Sequence, residues 1–179
     1  MDLIRVQHLL LACAGLILLL ASTVVAQEAP ASNHVGSLSE LRDKRRALLV
    51  VFKSRVINVN NDDRPIIDDV LKGDRTARGR YAWVYNDLSN KLNKYINKHG
   101  SMLPARNLAD AEYVIFFNVV EFRRILNALY AYGELFVIVK GSPKDLKPPR
   151  IIWRAKKVLI ATDAIGDLIK DLKTLRGES

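Results

Sequence analysis

The stretch EYVIFFNVVEF, residues 112–122, decides the fold that this sequence predicts. Every residue from Tyr113 to Phe117 is apolar, so both faces favour burial, as in a central β-strand. Two further β-rich segments follow, GELFVIVKG (133–141) and RIIWRAKK (150–157), and the connections are too short for crossover helices. The three segments therefore predict an antiparallel meander at the centre of the protein.

The chain before this meander predicts one more strand and two helices. Residues 47–59 (ALLVVFKSRVINV) are β-rich and apolar on both faces at their start, which indicates an interior strand. Pro65 suits the first turn of a short helix over residues 66–71. From Tyr81 to Ile96 apolar residues recur every three or four positions, which predicts a long helix that Gly100 ends.

A last helix is expected to begin near Thr162 or Asp163, both good N-caps, and to end at Gly177. The main elements then follow the order β-α-β-β-β-α. Since a long helix joins the first strand to the second, these two strands are expected to be parallel. The sequence predicts an α+β two-layer sandwich, in which two main helices pack on one face of a mixed four-stranded sheet.

Residues 1–26 have the pattern of a signal peptide. A weakly positive start with Arg5 precedes the apolar run of residues 9–20, and small residues follow up to Ala26. Two alternatives remain: an uncleaved N-terminal membrane anchor, because Leu9 to Ala26 is close to the ~20 residues needed to span a bilayer, and lipidation at Cys13. We expect an exported protein, periplasmic or secreted, whose signal is cleaved.

The remaining 153 residues suffice for one domain with a core of its own. Residues 27–46 are interpreted as a flexible tether and residues 47–177 as a single α+β domain. Cys13 is the only cysteine, so the exported part has no disulfide, which favours a bacterial envelope protein over a small eukaryotic secreted domain.

The net charge of +9 narrows the class of partner. Candidates are an acidic protein, an anionic envelope polymer, a lipid surface and nucleic acid, while the alternative is that the charge serves solubility alone. An exported protein seldom meets nucleic acid, so we expect an envelope protein or an anionic polymer or lipid surface as the partner.

The sequence carries no signature of an enzyme. A phosphate-binding glycine loop, a dinucleotide fingerprint and the G-x-S-x-G motif are all absent, and we expect no cofactor. The one acidic cluster, between Asp62 and Asp74, has oxygen ligands for a metal such as Ca²⁺, but its spacing fits no EF-hand. A metal-dependent hydrolase that uses this cluster is the alternative function.

Basic and aromatic residues near the strand ends are the candidate binding residues. They could form a basic strip along adjacent strands or a surface at the turn of residues 125–132, where several apolar side chains are expected to be exposed. Residues 123–130 are compatible either with a long hairpin or with a mobile loop. The candidate residues are Arg123, Arg124, Tyr130, Tyr132, Arg150 and Arg154.

Three short segments resemble a known group of envelope proteins. Residues 109–115 (ADAEYVI), 133–137 (GELFV) and 150–154 (RIIWR), followed by the Ala/Ile/Leu-rich last helix, are similar to small periplasmic or lipoprotein domains. That group is related to the curli-secretion lipoprotein and to the N-terminal domain of the Tol translocation protein. The resemblance implies an α+β envelope domain that binds or scaffolds rather than catalyses.

Overall fold

A computed structural model describes residues 36–54, 62–72, 81–141, 147–155 and 157–179 of the chain. All of them belong to one compact unit, Asn33–Ser179. The predicted signal peptide, the tether up to residue 35 and the end of the predicted first strand, residues 55–59, lie outside the described residues.

A mixed sheet forms the centre of the unit. Its order is β2-β1-β3-β4-β5, with β6 paired to β4; β1 runs parallel to β2 and β3, and the other pairs are antiparallel. The elements are β1 (Arg46–Phe52), α1 (Arg64–Leu71), α2 (Ala82–His99), β2 (Leu103–Pro104), β3 (Tyr113–Ile125), β4 (Ala128–Val139), β5 (Arg150–Arg154), β6 (Leu159–Ile160) and α3 (Ala161–Arg176), after a 3-10 turn at Leu38–Leu41.

These elements confirm the α+β class, the mixed sheet, the parallel first pair and the antiparallel meander. The described sheet has six strands rather than four, because the two-residue strands β2 and β6 each add a short pairing. Two residues are too few to produce a hydrophobic period, so neither strand can be recognised in the sequence.

Alternate residues of β3 enter two separate cores. Ile115 belongs to one cluster with Leu88 of α2 and Leu168 of α3. Phe116 belongs to the other cluster, together with Ile67 of α1. Helix α1 thus packs against the face of the sheet opposite α2 and α3. The two-layer prediction placed helices on one face only and did not include this helix on the other.

Helix ends follow local chemistry. Gly100 and Gly177 end α2 and α3 with φ of 65° and 67°, in the left-handed region that glycine adopts without strain. Helix α3 begins at Ala161, one or two residues before the expected caps, after an extended Ile160 that makes no side-chain cap. Asp163 lies in its first turn, where a carboxylate is favourable to the helix dipole.

The folded part begins before residue 47, within the segment interpreted as a tether. Ser37 and Glu40 form a reciprocal capping box on the 3-10 turn. Leu41 is fully buried in the larger core, and the Arg176 guanidinium donates hydrogen bonds to the carbonyl oxygens of Lys44 (3.0 Å) and Leu41 (3.5 Å). No helix among the described residues is both long and apolar enough to cross a membrane.

Candidate functional site

Strands β3 and β4 form a long hairpin that extends beyond the rest of the sheet. Its two-residue turn, Leu126-Asn127, has φ of 46° and 67°, and positive φ at both residues is what a type I′ hairpin turn requires. The open question about residues 123–130 is answered in favour of the hairpin.

The neighbouring strands stop well before the turn. Strand β1 ends at Phe52, opposite Asn118, and β6 reaches only as far as Tyr132. The β3–β4 register shifts between Val119 and Glu121, and such a bulge increases the local twist. Beyond these points lie four cross-strand pairs, from Phe122↔Ala131 to Ile125↔Ala128, which no other described strand joins. We call residues 122–131 the hairpin tip; it is about 13 Å long at ~3.3 Å per residue.

The two faces of the hairpin tip follow from its register. Phe122 lies on the face of α2, where its ring centroid is 5.9 Å from that of Trp83. Arg124, paired with Leu129, lies on the same face, because it is two residues further along the strand. Arg123↔Tyr130 and Ile125↔Ala128 occupy the other face.

The hairpin tip concentrates exposed apolar surface. Of the seven large hydrophobic residues that are exposed in the described part of the chain, five lie between residues 120 and 129. For the four of them that lie in the hairpin tip, the exposed fraction rises towards the turn, from 36% for Phe122 through 43% for Ile125 and 49% for Leu129 to 96% for Leu126. Such a cluster is typical of an interaction surface.

Leu126 is also held in an unfavourable backbone conformation. Its φ of 46° lies in the left-handed region, which costs an L-residue roughly 1–2 kcal/mol and which a bulky side chain seldom occupies. Backbone strain of this kind is commonly found at functional sites. Because Leu126 is both strained and exposed, it does not stabilise the folded state, and this favours a role in binding.

Three of the predicted binding residues are brought together on one face of this hairpin. The Arg123 guanidinium forms an ion pair with Glu121 and lies over the Tyr132 ring, 4.6 Å from its centroid. Tyr130 is the cross-strand partner of Arg123. The hydrogen bond from Arg123 to Glu121 raises the pKa of the guanidinium further, so it stays charged. Arg124, exposed on the opposite face, adds a second positive charge at the same level.

Arg150 and Arg154 lie in β5, away from the hairpin tip, and both have acidic partners. Arg150 donates to Glu40, with 3.2 Å between Nε and Oε1. Arg154 donates to Asp63 at 2.8 Å and lies 4.6 Å from the centroid of the Phe136 ring. These ion pairs tie β5 to the 3-10 turn and to the start of α1, so the six candidates do not form one basic strip.

Burial raises the pKa of Glu40, but its hydrogen bonds from Arg150 and from the Ser37 N–H outweigh burial and hold the pKa below the ordinary 4.5. Glu40 therefore stays ionised at neutral pH and keeps its ion pair with Arg150. A pocket of about 540 Å³ opens beside this pair, with Pro149 and Ile67 among its lining residues. The arginines that border the pocket, Arg64 and Arg150, are both paired with carboxylates.

Three described carboxylates of the acidic cluster, those of Asp62, Asp63 and Asp69, are bonded to other side chains. Asp62 accepts from Arg64 at 2.8 Å, and these bonds lower its pKa. Asp63 accepts from Arg154, and Asp69 accepts from the Ser54 hydroxyl at 2.7 Å. Within the described ranges no three His, Cys, Asp or Glu residues are grouped as a metal site requires. Asp74 of the cluster lies outside those ranges.

A second polar cluster links the end of α3 to the end of α2 and contributes to the stability of the fold. Arg176 donates to Tyr95 Oη at 3.2 Å and to Ser101 Oγ at 3.1 Å, next to the fully buried Tyr113. Burial raises the pKa of Tyr113 to about 12. Trp153 is half-buried at the edge of the larger cluster, and its Nε1 donates to Asp171 at 2.8 Å.

The strongest candidate site is therefore the hairpin tip. The sequence indicated arginines and tyrosines of this hairpin as binding residues, but it did not indicate Leu126, the most exposed residue of the tip. Comparisons of the chain with protein-family models, with curated proteins and with solved structures find no match.

Proposed function

We propose that this protein is an exported interaction domain of the bacterial envelope that binds an anionic partner, a protein or an envelope surface, through its hairpin tip. The observation that carries the proposal is the exposed apolar end of the hairpin, with Leu126 at 96% exposure and Arg123 and Arg124 just behind it. The N-terminal sequence pattern supports export, and the resemblance to curli- and Tol-related domains agrees with a binding role.

Binding fits the hairpin tip better than catalysis does. Its ten residues contain neither an acidic residue nor a histidine, cysteine or serine, so it offers no nucleophile or general base of the usual kinds. It does combine arginine and tyrosine with large apolar side chains, and arginine and tyrosine are enriched in the central residues of interfaces. The body of the protein then acts as a rigid support for this surface.

The proposal is tested by capture of partners from a bacterial envelope extract on the immobilised protein. We expect the variant Arg123→Glu/Arg124→Glu to lose the captured component, because charge reversal at an interface opposes an anionic partner. The matched control is Lys94→Glu/Arg106→Glu, which makes the same change in net charge at exposed positions of α2 and of the loop after β2. Equal capture by both variants and the wild type would remove the hairpin tip from consideration.

The alternative function, a metal-dependent hydrolase, places its chemistry in residues 62–74. The ion pairs of Asp62 and Asp63 argue against it, because each arginine already neutralises a carboxylate that a metal would need. Thermal unfolding in millimolar Ca²⁺, Mg²⁺ or Mn²⁺ distinguishes the two hypotheses. We expect Tm to match that in chelator, whereas a rise of several degrees with one ion would favour the hydrolase.

A further inference from the structure

We infer that the partner of the hairpin tip is an anionic lipid bilayer, and that the tip enters the bilayer interface end-on. This inference rests on the proposed function and narrows its partner to one class. It depends on how the apolar and charged residues are distributed around the end of the hairpin.

Apolar side chains surround the end of the hairpin rather than one side of it. Leu129 lies on the face of α2, Ile125 lies on the opposite face, and Leu126 stands at the turn between them. A groove on a protein covers one face of a hairpin, but a bilayer covers every side of an end that enters it. The distribution therefore favours a lipid surface.

Behind this apolar end, arginine and tyrosine form a partial collar on the face opposite α2. Arg123 and Tyr130 form the third cross-strand pair from the turn, about 10 Å from Leu126 at ~3.3 Å per residue. Interfacial segments enter the bilayer by roughly 5–10 Å, so an inserted apolar end places this collar among the headgroups. Arginine can pair there with phosphate, and tyrosine is enriched at that depth. The Arg123 side chain already lies back over Tyr132, away from the apolar end.

The charge of the hairpin tip favours a lipid surface over a second copy of the chain as the partner. Two hairpin tips packed against each other would bring their four arginines together, and of the two arginines in each tip Arg123 alone has a neighbouring carboxylate, Glu121, that offsets its charge. An anionic headgroup layer offers opposite charge on all sides, worth about fivefold in affinity for each arginine near the surface. The outer edges of the hairpin tip pair with no other described strand. Backbone N–H and C=O groups need hydrogen-bond partners in the hydrocarbon region, so insertion is limited to the hydrated interface.

The direct test uses residues 27–179, which contain both core clusters whole and lack Cys13. An environment-sensitive fluorophore is attached to the variant Leu126→Cys, and in a matched control to Leu103→Cys. Leu103 is also exposed, but it lies far from the hairpin tip. Its strand β2 pairs with the start of β1, which in turn pairs with Tyr113 at the opposite end of β3. We expect a blue shift at position 126 with vesicles containing about one-third phosphatidylglycerol, and none with pure phosphatidylcholine or at position 103.

Unlabelled variants give the size of the effect by vesicle sedimentation. We expect Leu126→Asn to weaken binding roughly tenfold, because it replaces the most deeply inserted apolar side chain. Arg123→Gln and Arg124→Gln should each weaken binding about fivefold and reduce its dependence on salt. A cooperative urea transition for each variant shows that the fold is retained.

The outcomes separate the inference from the function on which it rests. The absence of a blue shift at position 126, or an equal shift at position 103, overturns insertion. If capture from the envelope extract still depends on Arg123 and Arg124 in that case, the hairpin tip binds a protein or polymer instead. If neither vesicle binding nor capture depends on them, the proposed function fails as well.

Discussion

Replacing Leu126 by asparagine should stabilise the folded protein while it weakens binding. The leucine has φ of 46° and is 96% exposed, so it contributes strain and buries almost no apolar surface. The left-handed conformation costs an L-residue roughly 1–2 kcal/mol, and asparagine tolerates it far better. Loss of the leucine side chain costs less than about 0.2 kcal/mol, since full burial of such a side chain contributes only about 1.5–3 kcal/mol. We expect the free energy of unfolding to rise by about 0.5–1 kcal/mol.

Urea unfolding followed by circular dichroism measures this change, and a thermal scan should show Tm higher by about 1–4 °C. The control is Leu103→Asn, an exposed leucine in the short strand β2, where asparagine is disfavoured and stability should fall by about 0.5 kcal/mol. If Leu126→Asn lowers the free energy of unfolding by more than about 0.5 kcal/mol, the leucine packs against the fold. The strain argument for the hairpin tip is then wrong.

Three other changes test the body of the protein. Burial raises the pKa of Glu112, but hydrogen bonds from the N–H groups of Arg46 and Arg45 (2.8 and 2.7 Å) hold it below 4.5. Glu112→Gln should therefore lower the free energy of unfolding by about 1 kcal/mol at pH 7. This difference between variant and wild type should disappear as the pH falls through the lowered pKa, because the wild type then loses the carboxylate charge. Gly133→Ala directs a methyl group at the Asn118 carbonyl oxygen and should lower the free energy of unfolding by about 2–3 kcal/mol in urea titrations. An unchanged free energy would mean that the backbone relaxes at the bulge and that this reasoning is wrong. A double-mutant cycle of Asp63→Asn and Arg154→Met should give a coupling of about 1–2 kcal/mol; additivity would mean that the ion pair contributes little.

Much of the fold could be predicted because its central strand is apolar on both faces. The run from Tyr113 to Phe117 requires cover on each side, and the helix before it explains the parallel pairing of β1 with β3. Periodicity does not say which face of the sheet a short helix covers, so the position of α1 could not be derived. The 3-10 turn was predictable in principle, since Ser37 and Glu40 have the spacing of a capping box.

The candidate site was predictable only in part. Basic and aromatic residues indicated the hairpin, but the turn lacks the usual Asn-Gly signal and has a leucine in its first position. The partners of Arg150 and Arg154 could not be foreseen, because Glu40 and Asp63 precede them by 110 and 91 residues. Without those partners, all four arginines look equally free to bind.

The register of β3 fixes a distance across the molecule. The chain enters the sheet at Arg46, next to Ala47, which pairs with Tyr113 at the first residue of β3, while the turn follows the last residue, Ile125. Twelve residues of extended strand separate these two levels, or about 40 Å at ~3.3 Å per residue. Strand β3 keeps the start of the sheet and the hairpin tip this far apart, and adding or removing one residue in each strand of the hairpin would change the spacing by about 3.3 Å.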